Sequence, residues 1–345
     1  MLFRSGADQP SFRIQNKWAI SQSFSLSRGD HSFKFGGSWD KNGFNNNGPA
    51  AGAFGQFQWG SALNFLTDAN LENLTAEVPG ADTARTVRQQ VYGFYFQDDW
   101  RLRSNFSLNL GLRYEPWTSP GEKWGRVSTY RDYLHQTEFS NPKTDGTDTY
   151  FDSPGETTFS PRIGLAWDVN GDGKTAIRAG GGIFHLMLLT PYLNTVTRKN
   201  PPDAGTLIVN SPGVNLAGAG QYVNSRTAET LSTKLNPNTF SEAIQFDLKP
   251  MYEIKYNFTI ERQLLSDLSL AVGYIGNRGT HLTLKSDGNA YPSETAGGRT
   301  FVGPRLRTAP RPNPNNGVIT YSTSDAKSFY DAMTVELKKR ISHGF

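Results

Sequence analysis

The sequence predicts an all-β protein, a partial antiparallel transmembrane β-barrel of about nine long strands with short periplasmic turns and long extracellular loops. Three observations carry this. Apolar and polar residues alternate with period two over stretches well beyond the ~5–6 residues of an ordinary strand. The segments between these stretches alternate short, long, short, long. No run approaches the ~18 apolar residues of a membrane helix, yet 22 Phe, 14 Tyr and 7 Trp in 345 residues are far too many rings for a disordered chain.

The first strand is expected over 12–27, with Phe12, Ile14, Trp18, Ile20, Phe24 and Leu26 on one parity. The second, 32–45, carries Phe33, Phe35 and Trp39, and the third, 86–100, carries Tyr92, Phe94 and Phe96. The clearest is Asn105 to Trp117, where Phe106, Leu108, Leu110, Leu112 and Tyr114 alternate with Ser107, Asn109, Gly111, Arg113 and Glu115. Next come 158–169, with Phe159, Ile163, Leu165 and Trp167, and 174–186. A long strand from Phe246 to Glu261 sets Phe246, Leu248, Tyr252, Ile254, Tyr256, Phe258 and Ile260 against Gln245, Asp247, Glu253, Lys255, Asn257, Thr259 and Glu261. The last two are 267–281, with Leu268, Leu270, Val272 and Tyr274, and 327–342, with Met333, Val335 and Leu337.

Tight turns fall at Arg28–His31, Arg101–Ser104, Asn170–Gly173 and Leu265–Asp267, and long excursions at 46–85, 118–157, 187–244 and 282–326. Outer-membrane barrels have this one-sided pattern, short turns facing the periplasm and long loops outside. The excursions are rich in Gly, Asn, Pro, Ser and Thr, as turn-filled solvated loops are. One short helix is expected at Ser61 to Thr67 and another near Thr129 to His135.

The polar parity carries Arg113, Glu115, Arg162, Arg178, Glu253, Lys255 and Glu261, charges that a wet lumen accepts and a bilayer core does not. Trp39, Trp100, Tyr114, Trp117, Trp167 and Tyr252 lie near strand ends, where an interfacial girdle of amphipathic rings belongs.

Chemistry-bearing motifs resolve to structure. Asp168 to Lys174 (DVNGDGK) matches positions 1, 3, 5 and 6 of a calcium loop, but position 12 is Ala179, so it reads as a hairpin turn. Gly173-Lys174-Thr175 lacks the first glycine of a phosphate loop. His31, His135, His185, His281 and His343 are dispersed without ligand spacing. Asp98 and Asp99, adjacent on a strand, face opposite sides and cannot share a reacting atom. Gly276-Asn277-Arg278-Gly279 reads as a strand-to-loop bend near the outer rim. No catalytic, cofactor-binding or metal residue is nominated, ligand-binding residues are unknown from the sequence, and no enzyme is expected. Zero Cys excludes disulfides and thiolate chemistry, and the +4 net charge is scattered, so no nucleic acid is expected as a partner. The opening MLFRSGADQPSFR has no apolar signal-peptide core, so the start of an exported protein would lie upstream.

The phrases YGFYFQDDWRLRSNFSLNLGLRYEPW, FSPRIGLAWDVNGDGKTAIRAGGGIF, YNFTIERQLLSDLSLAVGYIGNRGTHL and SFYDAMTVELKKRISHGF resemble the barrel of Oar-like TonB-dependent receptors, over most of the chain from about Phe12. The resemblance implies an outer-membrane active transporter whose barrel of ~22 strands closes around an N-terminal plug. It implies that residues 1–345 are one domain, an internal fragment of that barrel, with plug, TonB-box peptide and signal peptide absent. The implied partners are outer-membrane lipid, the TonB complex through the missing N-terminal segments, and an unidentified extracellular ligand. One alternative is a structural or adhesive outer-membrane protein without coupled transport. Another is a soluble all-β domain, in which the apolar parity would be buried in one core.

Overall fold

The computed structural model describes residues 3–5, 12–47, 55–139, 149–152, 154–187, 200–235, 240–301 and 310–340. Nine long strands form a meander: β1 (Phe12–Arg28), β2 (His31–Asn47), β3 (Arg85–Arg103), β4 (Phe106–Tyr114), β5 (Phe159–Asp168), β6 (Thr175–Leu186), β7 (Met251–Leu265), β8 (Leu268–Asp287) and β9 (Val318–Lys339). Each pairs antiparallel with the next. The sheet is open. One end is β1, and at the other the short strand Phe240–Ile244 runs parallel to the loop end of β9.

The turns follow from local chemistry. Arg28 pairs with His31, leaving Gly29-Asp30 as a two-residue connection, and Gly29 supplies φ 58°, a left-handed value that glycine adopts without penalty. Ser104-Asn105 and Ser266-Asp267 close the β3–β4 and β7–β8 hairpins in the same two-residue form.

Register assigns the faces, because directly opposed residues share a side. One row runs Leu26, Phe33, Asp98, Leu110, Ile163, Gly181, Tyr256, Gly276, Asp331 across all nine strands. Trp18, Phe24, Leu112, Ile163, Met333 and Val335 are exposed on this side, which is apolar over most of its height. A soluble core would bury them; a lipid-facing wall displays them.

Four boundaries differ from the sequence expectation. Residues 246–248 lie outside the ladder and β7 begins at Met251, because Pro250 has no N–H to donate. β4 ends at Tyr114, ahead of Pro116. β8 continues to Asp287 through register shifts at Gly279/Leu282 and Leu282/Leu284, with His281 at φ 55°, so Gly276–Gly279 is not a strand end but the interior of a bulged strand. β9 starts at Val318 rather than 327, its polar first half pairing with that extension. Thr129–His135 forms a turn instead of a helix: Gln136 Oε1 accepts the Arg131 and Asp132 N–H groups and Asp132 accepts that of Leu134. The expected helix at Ser61–Thr67 is present as α1 (Ala62–Leu66), with Ser61 Oγ accepting the Asn64 N–H at its start.

Close packing inside the wall shows at Gly36. A Cβ there would collide with the Gln22 carbonyl oxygen, which is backbone, and sit 2.9 Å from Cε1 of Tyr95, whose hydroxyl reaches Ser23 Oγ at 2.8 Å. Gly36→Ala is therefore expected to destabilise the barrel by about 1–3 kcal/mol through overpacking. Urea unfolding of the full-length protein in lipid vesicles, with Gly29→Ala as a turn control, measures it.

Candidate functional site: the polar face and the loop assembly

The face opposite the apolar one carries many charges, most of them in pairs, while on the apolar-side parity Arg278 meets Asp331 at 2.8 Å. Lys17 meets Asp40 at 2.9 Å, Lys34 meets Asp99 at 3.5 Å, and Arg113 meets Glu115 at 2.6 Å. Arg178 meets Glu261 at 3.0 Å and Lys255 meets Glu253 at 2.7 Å. Arg162 lies over the Phe184 ring at 4.6 Å. The sequence placed Arg113, Glu115, Arg162, Arg178, Glu253, Lys255 and Glu261 on this parity; register puts all but Glu115 there, and Glu115, just past β4, reaches Arg113. The pairs made by Lys17 and Lys34 were missed, although the same parity rule applied to β1 and β2 finds them.

Asp98 and Asp99 divide as expected. Asp99 faces the polar side with Lys34 and Asn109, while Asp98 faces the other side and accepts from His31 Nδ1 at 2.8 Å. Trp39, Trp100, Tyr114, Trp167 and Tyr252 share the apolar-side parity. Trp117 does not. Beyond Pro116 the chain bridges to Val91 on the polar side, and Trp117 is buried there. In the DVNGDGK segment Asp168 Oδ2 accepts the Gly173 N–H and Asp172 Oδ1 that of Lys174, while Ala179 is inside β6, so the segment is a turn. The described histidines have separate neighbours: His31 Asp98, His135 Asp132, His185 Ser160, and His281 the Pro250 carbonyl. His343 lies outside the described residues.

At the loop ends of the strands the polar face is covered. Phe44 of β2 and Val87 of β3, a directly opposed pair on the polar parity, pack with Val127, Tyr150 and Phe151 from the β4–β5 connection and Ile244 from the β6–β7 connection. A second cluster joins Tyr130, Phe139, Leu235, Ala243 and Ile319. A third lies in a small sheet of strands 3–5, 56–59, 71–77 and 206–210, where Trp59, Leu71, Leu74 and Ala76 meet Ala219 of α2 (Leu216–Ser225). Asn215 caps α2 by accepting the Gly218 N–H, and Asp68 accepts that of Leu216. Fully burying each such side chain contributes about 1.5–3 kcal/mol, enough to hold the described parts of the connections together as an assembly.

Buried polar groups fix its shape. The Glu122 carboxylate, 3% exposed, accepts the N–H groups of Thr86, Trp124 and Arg126 at 2.7–2.9 Å. Asn200 Nδ2 donates to the Ser128 and Glu242 carbonyls while its Oδ1 accepts the Glu242 N–H. Asn289 Nδ2 donates to the carbonyls of Asn313, Asn316 and Gly317, and Oδ1 accepts the Asn313 N–H at 2.8 Å. Asn313 Nδ2 then donates to the carbonyls of Tyr133 and Gln136. None of these clamps was legible beforehand, because asparagine in a loop signals a turn before it signals a tie to a distant segment.

Tyr130 closes the network, its hydroxyl donating to Ser241 Oγ at 2.8 Å and accepting from Asn316 Nδ2 at 2.6 Å. Burial pushes its phenol well above the ordinary 10.0. A phenol that ionises near pH ~10 only when the assembly opens makes the open form more favourable as pH rises past that point, so stability is full below it and declines above. Loop amide protection, followed by hydrogen exchange from pH 8 to 11, is expected to fall above ~10 more steeply in the wild type than in Tyr130→Phe. That variant should also lose about 1–3 kcal/mol at neutral pH, from the two hydrogen bonds the hydroxyl makes with Ser241 and Asn316.

No curated protein matches this sequence. Among solved structures, the outer membrane transporter YddB from Escherichia coli aligns at 12% identity over 94% of this chain and 30% of its own, with a TM-score of 0.44. The copper transporter OprC aligns at 10% identity over 97% and 37%, TM-score 0.48, and the ferripyoverdine receptor of the outer membrane of Pseudomonas aeruginosa at 10% over 97% and 31%, TM-score 0.44. The chain thus spans well under half the length of each. The family described as outer membrane beta barrel domain matches residues 1–345. With alternation, register and an apolar outer face all in agreement with that match, the chain belongs to the outer membrane beta barrel domain family, and its place is the outer membrane.

Proposed function

We propose that the chain forms part of the barrel wall of a TonB-dependent receptor that carries an unidentified ligand across the outer membrane. The observation that supports this best is the joining of a hydrated, ion-paired wall to a braced loop assembly at one end of it. Ordered loops can select a ligand, and a polar wall offers it a path that costs little desolvation. The likeness of the QDDWRLRSNFSLNLGLRYEPW hairpin to Oar-like receptors supports the coupling to TonB. In this reading residues 1–345 are one domain's share of the wall, the plug, TonB-box peptide and leader belong to other segments of the protein, and the role is transport rather than catalysis.

Calorimetric titration of the purified periplasmic domain of TonB into the full-length protein tests the coupling. Saturable binding is the expected result. Absence of binding overturns energised transport and favours the adhesive alternative, for which the exposed Leu63 and Leu66 on α1 are the supporting feature.

A further inference from the structure

Near the short turns four strands carry a cation that faces the apolar side, Arg28, Arg103 and Lys339 as the last residues of β1, β3 and β9 and Arg262 three residues before the end of β7. Arg28 opposes His31, which opposes Trp100; Arg103 opposes Phe106, which opposes Trp167. Arg262 opposes Leu270, which opposes Leu337, and Lys339 opposes Leu268. All four are exposed, and none has an ion-pair or side-chain hydrogen-bond partner among the described residues. The polar face behaves differently, since Lys17, Lys34, Arg113, Arg178 and Lys255 each hold a carboxylate. Asp98 is engaged by His31, and Asp168 and Asp172 by the backbone of their own turn.

The cations lie toward the turn end of the apolar columns, with Leu264 and Leu265 still following Arg262, and near the level of Trp100 and Trp167, rings of the kind that sit among headgroups. They fall in two pairs, on β1 and β3 and on β7 and β9. Each pair is separated by one intervening strand and offset by two residues along the ladder, so by about 12 Å at ~4.8 Å per strand and ~3.3 Å per residue. A bilayer leaflet presents phosphate oxygens at this depth, next to the acyl region that the apolar columns meet. We propose that this lower collar binds the phosphates of anionic phospholipid headgroups in the periplasmic leaflet. Unpaired guanidinium and ammonium groups facing lipid then have an acceptor, and the barrel gathers a shell enriched in acidic lipid at one rim only. The proposal depends on the orientation of the barrel and not on coupling to TonB.

The test is quenching of tryptophan emission in the full-length protein, reconstituted in nanodiscs with brominated phosphatidylglycerol or brominated phosphatidylethanolamine. The wild type is expected to favour phosphatidylglycerol roughly 5-fold or more at low salt, and less at ~0.5 M salt. The combined Arg28→Gln, Arg103→Gln, Arg262→Gln and Lys339→Gln variant should bring the ratio close to one. Changing the two pairs separately gives the same readout should the combined variant misfold. Lys41→Gln, which removes an exposed cation at the opposite rim, should leave the preference intact. A wild type without preference, a preference that survives loss of the collar, or one lost in Lys41→Gln would each overturn the proposal.

Discussion

Leu112→Arg is expected to cost the folded barrel about 2–4 kcal/mol, the penalty for placing a guanidinium against lipid near the bilayer midplane. Leu112 sits four residues along β4 from Leu108, the partner of Trp100, on the apolar side, directly opposite Phe96 and Pro161, and is exposed there. The contrast is with Ser21→Arg on β1. Ser21 opposes Ser38 on the polar side, where a new cation enters water, and a change within ~0.5 kcal/mol is expected. Urea titration of the full-length protein in phosphatidylcholine vesicles, read by tryptophan emission, measures both. Equal losses at the two positions would mean that the two faces have been assigned wrongly, and with them the whole membrane placement.

Asn289→Ala has the second large effect, and it falls on the loops alone. The substitution removes an amide that donates to three carbonyls and an oxygen that accepts the Asn313 N–H, all of them buried. Leaving these groups without partners costs roughly 3–5 kcal/mol. That is comparable with the stability of a locally opening unit. Residues 310–317 and the 130–136 turn are expected to lose amide protection together, since Asn313 joins them, while β1 to β7 keep theirs. Simultaneous loss in the wall strands would mean that loops and wall unfold as one cooperative body.

The difference between these two experiments mirrors what could be read from the sequence. The wall was legible because one rule, strict alternation, decides the side of every residue, and a lipid boundary punishes any error at each position. So Arg113, Arg178 and Glu261 could be placed without coordinates. The rule fails where it meets proline: Phe246 and Leu248 continue the parity of β7 in letters, but Pro250 interrupts the ladder between them and the strand. The loops were illegible for another reason. Their order rests on single asparagines reaching across long intervals, Asn313 to Tyr133 and Asn200 to Ser128, and no local pattern encodes a partner that far away. Helix α2, LAGAGQYVNS, carries two glycines and a weak apolar stripe, so it is held by its packing on the small sheet more than by propensity.

The strand at 240–244 has a mechanical consequence. By taking the outer ladder positions of β9 from Val318 to Ser322, it leaves the free edge of that strand available only below them. Any further strand joining the sheet there is hydrogen-bonded along the lower part of β9 and must diverge from it above. The wall then has one seam shorter than its neighbours, with a wedge at its outer end formed by the same chain segment that carries Glu242 and Ile244 into the loop assembly. A pull or a ligand that shifts the assembly is transmitted to the wall through this seam, because the segment that fills the wedge also belongs to the loops.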